Sequence, residues 1–194
     1  MFKDLVIKNR SYRGFDFSRK IEREELIDMI ECARLTPCGA NKQPLKYFIA
    51  YNEKTVEEIQ SITKWAAGLP QMELPRKGEE PVAYIVICQD LNIDKSLKQS
   101  QTVIGIAAQT ILLSATDKGL GGCMIGNFNR IKLKQILSLD ENIEPVLLIA
   151  LGKPIEIVEL TDLKQGESTN YFRDDNNKHY VPKRTLNEIL INQK

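Results

Sequence analysis

The sequence has few metal-ligating side chains: one histidine, His179, and four cysteines, none of them in a C-x-x-C pair. Metal sites and the disulfide frameworks of secreted domains both depend on several such residues at characteristic spacings. We therefore expect no metal site, and we predict that the cysteines are buried free thiols. His179 lies in a charged tail, where a lone polar residue is usually solvated, and we expect no catalytic role for it.

Long apolar runs are also missing. No stretch approaches the ~18 apolar residues that a membrane span needs, and the chain begins with Met1 followed closely by the charged Lys3 and Asp4. The formal net charge is +1, with both signs interspersed, so electrostatics give no reason to expect nucleic acid or an anionic membrane as a partner. We expect a cytoplasmic protein whose 194 residues form one domain with a sizeable core.

Several common catalytic motifs do not occur. The sequence has no G-x-S-x-G elbow, no P-loop and no H-E-x-x-H helix, so hydrolase and nucleoside-triphosphatase interpretations lose their usual support. The "GLGG" stretch from Gly119 does not complete a G-x-G-x-x-G dinucleotide fingerprint, because Met124 stands where the third glycine is required.

The hydrophobic pattern that is present alternates between helical and strand-like periods. Apolar residues at three- and four-residue steps predict helices over 23–35, 54–67, 100–115 and 130–137. Runs rich in aromatic and β-branched residues predict strands over 46–51, from Val82 onward in the sheet centre, and over 145–152. The helix over 100–115 is apolar around nearly its whole circumference, which favours burial against a second subunit. Since no regular βαβ repeat is found, the fold class is predicted to be α+β.

Three irregular segments stand between these elements. The segment 68–81 contains three prolines and two glycines and is interpreted as a mobile lid. The glycines of the segment 119–126 indicate backbone that bends or approaches another group closely. The connector after the first long helix carries Asn41 and Gln43, although Pro37 and Gly39 would suffice for a plain turn.

Four motifs in order resemble those of the nitroreductase family of flavin enzymes: "NRSYRGF", "TPCGANKQPLKYF", "GLGGCMIG" and "LLIALGKP". The tail "YFRDDNNKHYVPKRTLNEIL" is similar to the closing segment of smaller bacterial members, so the resemblance covers nearly the whole chain. The resemblance implies a nitroreductase-like fold, with a central, mixed but mainly antiparallel β-sheet flanked by helices. It also implies an interlocked homodimer with noncovalent FMN at the interface, in which the tail from about residue 153 to 194 wraps the partner subunit.

The resemblance also implies which residues bind FMN. They are Arg10, Ser11, Arg13, Pro37, Cys38, Gly39, Asn41, Gln43, Met124, Ile125, Gly126, Lys183 and Arg184. Arg10 and Arg184, assisted by Lys183, would bind the phosphate, and Arg13 would lie near the N1 and O2 edge of the ring. Asn41 and Gln43 would meet the ring edge or the ribityl chain, while residues 124–126 would pack against the ring. In the competing interpretation, the two amides only close an Asx-type turn and the basic residues are solvated.

The activity implied by the resemblance is that of an FMN-dependent NAD(P)H oxidoreductase. It would reduce nitroaromatic, quinone or similar conjugated acceptors by a ping-pong mechanism, with NADH or NADPH as donor and no catalytic side chain. Two alternatives stay open: a nonenzymatic flavin-binding module for storage or redox sensing, and a dimeric scaffold that has lost its cofactor. Three positions depart from the family pattern, with Cys38 in place of Ser, Leu45 in place of Trp, and Asn9 where a second Arg is common.

Overall fold

The structure, a computed structural model, describes residues 1–66, 68–69, 72–98, 100–164 and 166–191. Its α-helices are α1 (Phe2–Lys8), α2 (Arg23–Arg34), α3 (Glu53–Ser61), α4 (Gln101–Asp117), α5 (Arg130–Ile136) and α6 (Leu186–Ile189). Its strands are β1 (Phe15–Asp16), β2 (Leu45–Ala50), β3 (Ala83–Asp90), β4 (Gly121–Ile125), β5 (Ile143–Pro154), β6 (Val158–Asp162), β7 (Phe172–Arg173) and β8 (His179–Lys183).

Strand β5 organises the main sheet, because three other strands pair with it. β3 pairs with one edge of β5, while β4 and β1 follow one another along the other edge. β2 completes the sheet beyond β3, and all these ladders are antiparallel. The strand predicted from Val82 onward is β3, and its place between β2 and β5 confirms the prediction that it lies in the sheet centre. The predicted α+β class is also confirmed.

The alternation of side chains along β3 divides the core into two layers. Ile85 and Ile87 belong to a buried cluster with α2 and α4, whereas Tyr84 and Val86 belong to a second cluster with α3 and α5. Because successive side chains of a strand point to opposite faces, a continuous apolar run is what a strand covered by helices on both faces requires. The core therefore consists of one sheet between two helical layers.

The predicted helices are found, with one correction. We predicted a helix over 54–67, but α3 ends at Ser61, so the helical prediction is wrong for residues 62–66; Ala67 lies outside the described residues. The chain leaves the helix because Thr63 forms an antiparallel bridge with Phe128. The backbone N–H of Lys64 then donates to the carbonyl of Asn127 at 2.9 Å, a tertiary pairing that sequence periodicity does not reveal.

The C-terminal tail folds into a small sheet, in which β8 pairs in parallel with β6 and antiparallel with β7. This small sheet packs on its own chain: the backbone N–H of Gly68 donates to the Tyr171 hydroxyl at 3.2 Å, and Arg76 Nη2 donates to Asn177 Oδ1 at 2.9 Å. The wrapping of a partner by the tail stays a prediction. Within the described ranges, no helix has the length and apolar character needed to cross a membrane.

Candidate functional site

A cavity of about 350 Å³ lies between the N-terminal segment, α4, β4 and the small sheet. We call it the arginine cavity. Its lining is rich in donors and cations: Asn9, Arg10, Ser11, Arg13, Gln109, Leu112, Met124, Val158, Tyr171, His179, Val181 and Lys183. Five of the predicted cofactor-binding residues are therefore brought together, namely Arg10, Ser11, Arg13, Met124 and Lys183.

The glycines of β4 hold the N-terminal segment in place over this cavity. Ser11 forms a parallel bridge with Gly122, and the N–H of Tyr12 donates to the Gly122 carbonyl at 3.0 Å. A Cβ at Gly122 would lie 2.2 Å from the Ala150 carbonyl oxygen, and one at Gly121 would lie 2.6 Å from the Tyr12 ring. The predicted close approach at these glycines is therefore confirmed, and it fixes the backbone that carries the two arginines.

Both arginines of the N-terminal segment enter the cavity with incomplete hydrogen bonding. Arg10 Nη2 donates to the carbonyl of Val6 at 2.7 Å, and desolvation by burial lowers the pKa of Arg10. Arg13 is only 9% exposed, and its Nη1 donates to the carbonyl of Ser11 at 3.1 Å. The buried Nε atoms of Arg10 and Arg13 have no hydrogen-bond partner among the described residues.

A buried ion pair between Glu156 and Arg173 supports Arg13. Both side chains of the pair are 5% exposed, and the Glu156 carboxylate also accepts the backbone N–H of Arg13. The Arg13 guanidinium lies 5.1 Å from the centroid of the Tyr171 ring, a distance typical of a cation–π contact. The tail therefore fixes Arg13 from two directions.

His179 is buried in the wall of the arginine cavity, so our expectation of a solvated histidine is wrong. It is 2% exposed, and its ring centroid lies 5.2 Å from that of Tyr171. Desolvation, together with the positive charges of Arg13 and Arg173, lowers the pKa of His179 to about 4. The imidazole is consequently neutral at pH 7, where it offers one donor and one acceptor nitrogen.

Strand β8 presents alternate residues to the arginine cavity. His179, Val181 and Lys183 all line it, as expected for positions two residues apart on one strand face. The next predicted phosphate ligand, Arg184, lies beyond the strand and outside the cavity lining. Its exposed guanidinium instead lies 3.9 Å from Glu188.

A second cavity of about 210 Å³, which we call the β4 cavity, adjoins the first. Arg13, Met124 and Tyr171 line both cavities. The β4 cavity also contains the other two predicted ring contacts, Ile125 and Gly126, together with Lys64, Trp65, Ala66, Cys123 and Asn127. Residues 124–126 therefore stand where the two cavities meet, and Met124 is 37% exposed.

The connector lies elsewhere in the same chain, beside the N-terminal half of α4. Cys38 and Gly39 line a cavity of about 370 Å³ with Val103 and Ile106, and Cys38 and Gln43 line a further one of about 240 Å³. Neither lining includes Pro37 or Asn41, which are exposed. The connector residues are thus not brought to the arginine cavity of their own chain.

The connector backbone is strained. Ala40, Asn41 and Gln43 have φ values of 50°, 52° and 52°. These values lie in the left-handed region, which residues other than glycine rarely adopt. The Gln43 amide donates to the Asn41 carbonyl at 3.1 Å, and the Gln43 backbone N–H donates to Cys38 Sγ at 3.3 Å. The Gln43 amide therefore closes a local turn, as the competing interpretation expected of it. Strain of this kind is concentrated at functional segments.

Sequence reasoning missed four side chains around the arginine cavity: Glu156, Tyr171, Arg173 and His179. Their isolated positions in a polar tail carry no periodic signal. A weak strand signal is present in "HYVPK", where His179, Val181 and Lys183 stand two residues apart. The four cysteines are free as predicted, but only Cys88 and Cys123 are buried.

Together, the fold and the cavity define an α+β protein with a cavity lined by cationic and aromatic side chains. The family model for the nitroreductase family matches residues 6–153, and the chain belongs to that family. It is 27% identical over 184 residues to an oxygen-insensitive NADPH nitroreductase from Helicobacter acinonychis, covering 79% of this chain and 88% of the relative.

Solved structures give the same result for the fold. A nitroreductase family protein from Clostridium novyi NT aligns with a TM-score of 0.64 and 26% identity, covering 79% of this chain and 86% of the other. An FMN-dependent nitroreductase from Clostridium difficile R20291 aligns with a TM-score of 0.63 and 18% identity, covering 78% of this chain and 87% of the other. The predicted nitroreductase-like fold is confirmed.

Proposed function

We propose that this protein is an FMN-dependent oxidoreductase that uses NADH or NADPH to reduce conjugated acceptors. Membership of the nitroreductase family supports an NAD(P)H-dependent redox activity, and relatives carry the names NADPH nitroreductase and FMN-dependent nitroreductase. The observation that carries the proposal is the distribution of unpartnered polar atoms. Of the five buried side-chain atoms without a partner in the described chain, four are nitrogens of Arg10, Arg13, Arg173 and His179.

The three arginine nitrogens require acceptor atoms, because leaving a buried donor without a partner costs roughly 1 to 3 kcal/mol, while the neutral imidazole nitrogen requires either a donor or an acceptor. Three of the four belong to residues that line the arginine cavity, and the fourth belongs to the ion pair beneath it. A phosphate ester with hydroxyl groups supplies many acceptors and a negative charge. The residues present therefore fit FMN.

Arg10 and Lys183 would hold the phosphate from opposite walls of the arginine cavity. A guanidinium can meet two phosphate oxygens at once, while an ammonium acts as a point charge. Ser11 adds a hydroxyl and backbone groups at the same wall. Arg184 is retained as a phosphate ligand only as a prediction, since its exposed position beside Glu188 would require its side chain to turn.

The ring would lie toward the junction of the two cavities, next to Arg13 and residues 124–126. FMN held there would supply the redox chemistry that links NADH or NADPH to the acceptor. The chain itself supplies position and charge: Arg13 offers a fixed cation near the pyrimidine edge, where it would stabilise the negative charge of the reduced ring. No side chain is assigned as a proton donor or nucleophile.

Donor and acceptor would use the β4 cavity in turn, which is the structural requirement of a ping-pong mechanism. Its lining includes the rings of Trp65 and Tyr171, and the indole is held by a hydrogen bond to Thr63 Oγ1 at 3.0 Å. Flat aromatic walls favour planar partners such as nicotinamide, nitroaromatics and quinones. The segment 68–81 adjoins this cavity through Gly68, which contacts Tyr171, and its role as a lid stays a prediction.

A homodimer would complete each site with the connector of a second chain. The cavity of about 370 Å³ beside the connector includes Ile106 of α4. The arginine cavity includes Gln109, three residues further along the same helix. Both side chains are exposed, and a Cβ added at Gly105 would meet nothing within 4 Å. Antiparallel packing of two α4 helices about this region would carry Cys38, Asn41 and Gln43 of one chain to the arginine cavity of the other.

The test is a visible absorption spectrum of the purified protein, followed by anaerobic addition of NADH and then NADPH. We expect stoichiometric yellow flavin that bleaches rapidly with at least one donor and is reoxidised by a quinone or nitroaromatic. Flavin that stays oxidised would favour the storage or sensing module. A colourless protein that does not bind added FMN would contradict the proposal.

A further inference from the structure

We propose that His179 binds the ring and ribityl half of the flavin and takes no part in holding the phosphate. The inference rests on the proposed function, and it assigns a binding role to the only histidine in the chain. The imidazole is buried in the cavity wall, and its Nδ1 has no hydrogen-bond partner within the described ranges.

The regular spacing of residues along β8 gives the distance between two side chains of the arginine cavity. His179 and Lys183 face the same cavity four residues apart, and a rise of 3.3 Å per residue separates their Cα atoms by roughly 13 Å. If Lys183 binds the phosphate, a ligand that extends from Lys183 along β8 would reach His179 roughly 13 Å away. The strand thus places cation and imidazole at opposite ends of one elongated ligand.

The neighbours of His179 identify its end of the cavity as the ring end. Its ring contacts Tyr171, and Tyr171 lines both the arginine cavity and the β4 cavity. Arg13, whose charge acts on the imidazole, also lines both cavities. His179 itself lines the arginine cavity and not the β4 cavity, as do Lys183 and Arg10, so it is its contacts with Tyr171 and Arg13 that place it toward the junction.

The surrounding positive charges keep His179 neutral, so it would bind a ligand through hydrogen bonds and not as a cation. Arg13 and Arg173 are the cations that act on it, and Glu156 is the opposing anion, already engaged by Arg173 and the Arg13 backbone. A neutral imidazole between two guanidinium groups is suited to a hydroxyl or a ring nitrogen or carbonyl, because each of its nitrogens can serve as either donor or acceptor. The phosphate has stronger ligands in the arginine and lysine at the other end.

The first test uses the unaltered protein, because its single histidine gives one set of imidazole resonances. Apoprotein carrying ¹³C-labelled histidine is titrated separately with inorganic phosphate, riboflavin and FMN, and the imidazole signals are followed by NMR. We expect FMN and riboflavin to shift the His179 signals at saturation, and inorganic phosphate to leave them in place. A shift with phosphate as large as that with FMN would place His179 at the phosphate end and overturn the inference.

The second test compares substitutions at the two ends of β8. His179→Phe keeps a ring against Tyr171 but removes both nitrogens, and we expect about fivefold weaker binding of both FMN and riboflavin, the scale of one hydrogen bond. Lys183→Gln should weaken FMN about tenfold and leave riboflavin unchanged. Lys178→Gln, outside the cavity and paired with Glu159, is the matched control. His179→Gln, which keeps hydrogen-bonding groups, should recover part of the loss.

The outcomes separate this inference from the proposed function. Wild-type protein that binds no FMN would contradict both. FMN binding with an unmoved imidazole signal, and with equal affinities for His179→Phe and wild type, would overturn the role of His179 alone. A loss confined to FMN in the His179→Phe variant would likewise contradict the assignment to the ring end.

Discussion

Strands β3 and β8 bury their side chains in opposite ways. Every residue of β3 from Ala83 to Cys88 is buried among apolar neighbours in one of the two core clusters or between them. β8 instead turns His179, Val181 and Lys183 toward a cavity with unpartnered nitrogens. Because buried polar groups without partners reduce stability, a chain selected for stability alone has no need of the β8 arrangement. β3 contributes apolar burial to the core, whereas β8 contributes side chains to the lining of the arginine cavity.

The largest effect on stability is expected from removing the negative charge of Glu156, the counterion of Arg173. Glu156→Gln leaves the Arg173 charge buried without its counterion, and we expect a loss of about 4 kcal/mol in the free energy of unfolding, measured by urea denaturation. This loss would equal or exceed that of a cavity mutation in β3, Ile87→Ala, which should cost about 3 kcal/mol.

The double variant Glu156→Gln/Arg173→Gln serves as the control, because it removes both charges together. It should recover part of the stability that the single variant loses. A single variant within about 1 kcal/mol of wild type would contradict the view that the pair is buried and coupled to Arg13.

Acid should weaken the fold through His179. Its pKa is about 4 in the folded chain and about 6.5 in the unfolded chain, so the unfolded state binds more protons between these values. The contribution of His179 to stability is therefore present above about pH 6.5 and is lost progressively toward pH 4, by at most about 3 kcal/mol. The measurement is the free energy of unfolding from pH 7.5 to 4.

His179→Phe provides the comparison for this pH profile, since other carboxylates also titrate in acid. The variant should show a shallower decline over the same interval, whatever its stability at pH 7.5. Parallel profiles for the two proteins would show that the imidazole binds its proton over the same pH range in the folded and unfolded chains, which would contradict the lowered pKa of His179.

The sequence predicted β3 but not β8, for a physical reason. A strand covered on both faces needs an unbroken apolar run, and "VAYIVICQD" displays one. Residues of the tail meet the N-terminal segment across more than 140 positions, as in the contact of Arg13 with Glu156. No local pattern encodes that pairing, so the burial of His179 could not be read from its polar neighbours.

The residues of the candidate site were likewise predicted only in part. Motif resemblance identified the arginines of the N-terminal segment and residues 124–126, and these do line adjoining cavities. It did not predict Tyr171, which contacts Arg13 and His179 and hydrogen-bonds to Gly68. A residue that contacts segments distant in the chain is not marked by any periodic pattern in the sequence.

Arg10→Ala should weaken FMN binding and leave the fold intact. Loss of its charged hydrogen bonds to phosphate should weaken FMN binding by about 1.5 to 3 kcal/mol, while the chain remains folded and keeps the oligomeric state of the wild type. Equilibrium dialysis of FMN and size-exclusion chromatography measure the two quantities. Arg23→Ala, on the exposed side of α2, is the matched control, and equal affinities for both variants would remove Arg10 from the site.

The smallest effect is expected at the connector, where Cys38→Ser replaces the thiol by the residue usual in the family. Cys38 Sγ accepts the backbone N–H of Gln43 at 3.3 Å, and a hydroxyl oxygen is a stronger acceptor of the same bond. The strained turn should be held slightly better, so we expect FMN affinity to rise by less than about 1 kcal/mol. Cys32→Ser, on α2, is the control for loss of a half-buried thiol. A loss as large as that of Arg10→Ala would mean that the thiol itself contacts the ligand, and the connector would then belong with the arginine cavity as a principal binding element.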